Sequence, residues 1–240
     1  MKIARYRVES VHTGRAMPVV RYGTAGDALV YVPSSGGDET EFERFGLHHE
    51  TAPWVERGRL QLLSIDGCGP STLFDDSLGP AERISGYVAF ERYAAEELLP
   101  WVEELVGGVE IGVAGASYGA FVAANLLFKQ YGRVRVACGL GGVYQMWHRL
   151  DGYHDDDVYF HTPLEYLPRL NDETTLGAIR GTDGISLYGA ENDSWLHSTH
   201  ALQRVLAEKG LPHRTEVWPA PADHQESWWR RQLPRFLDRY

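Results

Sequence analysis

Cysteine is nearly absent: the 240 residues hold only Cys68 and Cys138. Two thiols cannot build a disulfide framework, so the fold must rest on its own core. Cys138 lies in the apolar run Val134-Arg135-Val136-Ala137-Cys138, the setting of a small buried thiol. Cys68 sits in the turn Asp66-Gly67-Cys68-Gly69-Pro70, where an exposed thiol fits. A single bridge between them is allowed, but nothing in the sequence calls for it. Long apolar runs are missing too. None approaches the roughly 20 residues that span a bilayer, and Met1-Lys2-Ile3-Ala4-Arg5-Tyr6 does not open as a signal peptide does. Nor is there a basic cluster: the net charge is −10, and the nearest approach to one is Arg230-Arg231. Phosphate backbones and anionic membranes need such clusters, so neither is expected as a partner. A cytoplasmic, reducing setting is expected. Repeats, low-complexity tracts and Pro- or Ser-rich linkers are also lacking, so residues 1–240 read as one domain, with 43% hydrophobic content to fill its core.

What is present is an alternation of strand and helix. Strands are expected near 2–9, 17–23, 28–33, 60–66, 109–114, 133–139, 184–190 and 213–219, and helices near 49–57, 80–106, 118–130, 193–209 and 223–238. The first two strands are close enough to form an antiparallel edge. The remainder predicts an α/β fold, a three-layer sandwich whose mostly parallel sheet of about eight strands carries helices on both faces. Residues 143–176 break the pattern with aromatics, acids and prolines. A stretch of that length without a long element reads as a lid or cap insertion over a site.

The segment Val109-Glu110-Ile111-Gly112-Val113-Ala114-Gly115-Ala116-Ser117-Tyr118-Gly119-Ala120 carries the chemistry. A buried strand turns at Gly-x-Ser-x-Gly into an apolar helix, the context that presents a serine hydroxyl as a nucleophile. The pattern alone is weak in a chain with 26 glycines, so its partners decide. A serine needs a histidine to take its proton and a carboxylate to orient that histidine, here expected in the order serine, acid, histidine. After the strand at 184–190 the chain reads Glu191-Asn192-Asp193, where Asp193 also suits a helix cap and Glu191 competes for the role. After the last strand, His224 falls in the loop before the final helix.

An oxyanion hole needs two backbone N–H groups. Tyr118 is expected to supply one, and the loop Pro33-Ser34-Ser35-Gly36-Gly37-Asp38 the other, through Gly36 or Gly37. Ser35, Asp66, Trp147 and Tyr159 are expected to touch substrate, the first two from loops after strands, the last two from the aromatic insertion. The cluster His154-Asp155-Asp156-Asp157 with His161 matches no metal-ligand spacing, so no metal and no cofactor is expected.

These pieces resemble the esterase-D-like branch of the α/β-hydrolase superfamily, and within it small bacterial esterases. The resemblance is carried by Tyr31-Val32-Pro33-Ser34-Ser35-Gly36-Gly37, Glu91-Arg92-Tyr93 with Glu97, and Gly115-Ala116-Ser117-Tyr118-Gly119. It continues through Gly152 to Phe160, Gly189 to Asp193, and His224 with Trp228 and Trp229, nearly the whole chain. It favours Asp193 over Glu191 as the acid. Two departures stand out: Ser34-Ser35-Gly36-Gly37 replaces the His-Gly of many hydrolases, and Asp223 precedes His224 where many relatives carry glycine. The resemblance implies a serine hydrolase that cleaves small-molecule carboxylic esters through an acyl-enzyme on Ser117. Acyl transfer from the same intermediate, and a non-catalytic binding member of the fold, are the alternatives. A homodimer is compatible with such a fold, though no residue specifies its interface.

Overall fold

The apolar segments become eight strands: β1 (Ile3–Glu9), β2 (Ala16–Tyr22), β3 (Asp27–Val32), β4 (Leu60–Ile65), β5 (Ile111–Ala116), β6 (Val134–Leu140), β7 (Gly184–Ala190) and β8 (His213–Trp218). They are taken from a computed structural model that describes residues 1–240. All eight join one sheet in the order β1-β2-β4-β3-β5-β6-β7-β8. β1 and β2 form the expected antiparallel edge, with Val8 opposite Met17, and β2 runs antiparallel to β4. From β4 across to β8 every neighbouring pair is parallel.

The helices are α1 (Glu41–Arg44), α2 (Leu47–Glu56), α3 (Pro80–Tyr93), α4 (Leu99–Val106), α5 (Tyr118–Lys129), α6 (Asp156–His161), α7 (Pro163–Arg169), α8 (Glu173–Arg180), α9 (Leu196–Glu208) and α10 (Glu226–Leu237). Side-chain alternation along the strands sorts them into two layers. Val30, Val32, Leu63 and Val113 face a core shared with α3, α4, α5 and α9. Leu29, Tyr31, Leu62 and Ala114 face the opposite way, against Phe42, Leu47 and Val55 and against Trp229, Leu233 and Phe236 of α10. Helix α5 is buried on every side from Tyr118 to Phe128, as its uninterrupted apolar sequence predicts.

Three departures from the sequence reading have local causes. The helix expected over 80–106 forms, but a π-helical turn at Ala94–Leu98 separates α3 from α4. Pro100, in the first turn of α4, has no N–H to donate backwards, and the widened turn accommodates it. Residues 143–176 do not stay irregular: they contain a 3₁₀ turn at Trp147–Arg149, then α6, α7 and the start of α8. These helices are too short for an apolar period to declare itself in sequence. Cys68 is buried rather than exposed, with Arg15 Nη2 donating to its sulfur at 3.1 Å, and both cysteines are free thiols.

Candidate active site

The turn between β5 and α5 places Ser117 at φ 54°, ψ −111°, a left-handed backbone that few side-chain-bearing residues adopt. The flanking glycines are dictated by contact. A Cβ at Gly115 would run into the backbone of Gly119, and one at Gly119 into the carbonyl of Val32 at the end of β3. The strain is therefore held by a backbone pressed against two neighbours, and Ser117 projects at the carboxyl-terminal edge of the parallel strands.

The loops after β7 and β8 meet it there. His224 Nε2 lies 3.0 Å from Ser117 Oγ, and His224 Nδ1 lies 2.9 Å from Asp193 Oδ2. Asp193 is buried, and its other oxygen accepts the Trp195 N–H at 2.7 Å at the entrance to α9. One carboxylate oxygen thus faces His224 and the other the backbone that leads into α9. Glu191 faces elsewhere: its carboxylate accepts the Ala220 N–H at 2.9 Å. That bond, with Asn192 N–H to Ala222 O at 2.9 Å, ties the two loops together. Behind the imidazole, the left-handed Gly141 (φ 55°) leaves room that a Cβ would close, 2.8 Å from Trp229 Nε1 and 3.2 Å from both Asp193 Oδ2 and His224 Nδ1.

A cavity of about 270 Å³ opens beside Ser117. Ser35, Tyr118 and His224 line it together with the apolar Phe74, Val143, Met146 and Trp195 and the polar His148 and Arg149. Burial, helped by the neighbouring Arg149 charge, lowers the His148 pKa, so its ring stays neutral at neutral pH.

Ser35 is where the sequence places it, but Gly36 and Gly37 do not line this cavity. The Gly37 N–H closes a turn onto Ser34 O at 3.0 Å. Gly37 is a glycine for a different reason: a Cβ there would strike the carboxylate of Glu41. Glu41 is buried and accepts from Ser34 N (2.8 Å), Ser34 Oγ (2.6 Å) and Tyr31 Oη (3.0 Å), fixing the loop from within. Burial raises its pKa, with the three hydrogen bonds opposing.

Three further expected contacts lie away from Ser117. Asp66 pairs with Arg15 at 2.8 Å and accepts the Cys68 N–H at 2.7 Å. Trp147 is exposed and donates to Glu165 at 2.7 Å. Tyr159 lies under the Arg169 guanidinium and lines a separate cavity of about 460 Å³. The walls that sequence reading missed did carry some signal. Val143 and Met146 follow the end of a parallel strand, and Trp195 follows Asp193 by two residues. Phe74 offered none.

The family model described as "Putative esterase" matches residues 78–240, more than half of the chain. The chain belongs to this esterase family, and cleavage of carboxylic esters in small molecules is the activity that goes with it. No curated protein matches the sequence. Solved structures share the fold. A ferulic acid esterase superposes with a TM-score of 0.78 at 14% identity, covering 98% of this chain and 95% of that one. An S-formylglutathione hydrolase from Agrobacterium tumefaciens gives 0.76 at 12% identity over 98% and 93%. Another from Staphylococcus aureus gives 0.69 at 13% identity over 99% and 96%. At such identities the likeness establishes the α/β-hydrolase architecture.

Proposed function

We propose that this esterase works through an acyl-enzyme on Ser117, with His224 as base and then acid, and Asp193 as the group that orients His224. The observation that carries this reading is the unbroken chain from Ser117 Oγ to His224 Nε2 (3.0 Å) and from His224 Nδ1 to Asp193 Oδ2 (2.9 Å). A carboxylate can only accept, so it holds the proton on Nδ1 and leaves the Nε2 lone pair facing the serine. His224 takes the hydroxyl proton as Oγ attacks the ester carbonyl, then passes it to the departing alkoxide. Water, deprotonated by the same imidazole, releases the acid and restores Ser117.

For the oxyanion hole we pair the Tyr118 amide with that of Ser35 in place of Gly36 or Gly37. In support, Ser35 lines the cavity beside Tyr118 and its N–H has no acceptor within the chain, whereas the Gly37 N–H is spent on Ser34. The part of the 143–176 insertion that covers the substrate is then Val143 to Arg149, the stretch that reaches the cavity. We assign the protein to the cytoplasm on its two unpaired thiols. No helix is long and apolar enough to cross a membrane.

A fluorophosphonate tests the site without knowledge of the substrate. One adduct on Ser117 by peptide mapping, lost in His224→Ala, is expected. A well-folded protein that takes no label, or Ser117→Ala with full esterase activity, would overturn the mechanism.

A further inference from the structure

The chain carries 33 acidic residues and a net charge of −10, yet no carboxylate lines the cavity beside Ser117. The one ionised side chain in its walls is Arg149. Three contacts hold that guanidinium in place. Nε donates to Leu73 O at 3.1 Å, Nη2 bonds to Asp76 Oδ1 at 2.5 Å, and Cζ lies over the Phe74 ring, 4.9 Å from its centre. Nη1 finds no acceptor in the chain. Asp76 takes only Nη2, from outside the cavity, which it does not line, and with its side chain 79% exposed its field is weakened by water. The same carboxylate is shared with Arg83 (3.5 Å), a second guanidinium whose own other partner, Asp151, is 72% exposed. Arg83 in turn donates to Arg149 O at 2.9 Å, fixing the backbone from which Arg149 projects.

A preorganised guanidinium with a free N–H edge, in a pocket walled by Phe74, Met146 and Trp195, recognises an anion attached to a compact apolar group. His148, packed on Trp195 at 4.7 Å, adds a neutral hydrogen-bonding edge next to it. The volume of about 270 Å³, just below the roughly 300–1,000 Å³ typical of drug-sized ligands, suits a short chain or a single ring.

We propose that the preferred substrate is a small ester carrying a carboxylate, and that Arg149 binds this carboxylate. The proposal rests on the reading of Ser117 as nucleophile. A hydrogen bond to a charged group contributes about 1.5–3 kcal/mol, which corresponds to roughly ten- to hundredfold in binding.

The first arm needs no substrate. Benzoate and its neutral isostere benzamide are compared as protectants of Ser117 against fluorophosphonate. Benzoate is expected to protect at about tenfold lower concentration in the wild-type protein. In Arg149→Met that advantage shrinks, and Arg149→Lys, which keeps the charge, retains part of it. The second arm compares kcat/KM within two rigid pairs: 4-acetoxybenzoate with 4-acetoxybenzamide, and methyl 4-carboxybenzoate with methyl 4-carbamoylbenzoate. The anion is expected to win by about tenfold in at least one pair, chiefly through KM, and Arg149→Met to lose more on the anion than on the amide. A purely structural tether would lower both members of a pair alike.

Should Arg149→Met fail to fold, the wild-type protection ratio still decides. Efficient labelling with benzoate no better than benzamide overturns the anion site and leaves the nucleophile intact. No labelling of a folded protein removes the nucleophile, and this proposal with it.

Discussion

The indole of Trp229 stands edge-on to the imidazole of His224, with ring centres 5.2 Å apart and planes at 90°. Trp229 comes from the first turns of α10 and is buried, so the helix that packs beneath the sheet also backs His224. His224 is thereby held between an aromatic edge behind and the Asp193 carboxylate at its side. Only the backbone of Gly141 fits into the gap.

Gly141→Ala therefore tests how much activity depends on that fit. The left-handed φ is unfavourable for alanine by roughly 1–2 kcal/mol. The new methyl would also press on Trp229, Asp193 and His224. A lower thermal midpoint and a drop in kcat of about tenfold or more are expected, by calorimetry and ester turnover.

Asp193→Asn should inactivate the enzyme while keeping its shape. The amide oxygen of asparagine can still accept the Trp195 N–H, which turns the NH₂ group toward His224 Nδ1. The proton must then move to Nε2, where it faces Ser117 and blocks general-base action. A loss of about four orders of magnitude in kcat, with little change in the fold by circular dichroism, is the expected result.

Glu41→Leu removes an acceptor that serves three donors at once. An aliphatic side chain accepts nothing, so Ser34 N, Ser34 Oγ and the buried Tyr31 Oη all lose this partner. A buried unsatisfied group costs about 1–3 kcal/mol. Because this carboxylate shapes the loop carrying Ser35, kcat is expected to fall with stability. Denaturant unfolding and single-turnover acylation on the variant check both.

His161 predicts an acid-sensitive stability. Burial lowers its pKa below the ordinary 6.5, with the Glu91 carboxylate raising it and the Lys129 ammonium adding to the fall. Its ring sits edge-on to Tyr87, 5.9 Å away, where α6 meets α3. In the window from 6.5 down to the lowered folded value, the unfolded chain binds the proton and the folded one does not. Stability is therefore full above that window and decreases as pH falls through it. His161→Gln should flatten the decline that sets in as pH falls through 6.5 in denaturant titrations, compared with the wild type.

The serine turn and the strands that frame the candidate site were legible in the sequence. The turn at Ser117 announces itself because the strand-to-helix junction demands glycine on both sides, Gly115 against the turn itself and Gly119 against the end of β3. The apolar runs at 28–33 and 60–66 read as buried parallel strands because both faces are covered, and β3 and β4 bear this out. By contrast α6, α7 and the π-helical turn left little trace, since short elements are stabilised by what they pack against rather than by their own periodicity.

The sequence by itself determined the sheet, the serine turn and the order of serine, acid and histidine along the chain. Hydrophobic period and turn chemistry are written residue by residue. Only the tertiary structure decided that Asp193 rather than Glu191 faces His224, that the Gly37 amide is already engaged while that of Ser35 is free, and that Arg149 rather than Trp147 or Tyr159 reaches the cavity. Those outcomes depend on where loops distant in sequence converge at the ends of β3, β5, β7 and β8. A difference of one or two residues along a loop reverses which side chain points inward, and no local pattern records it.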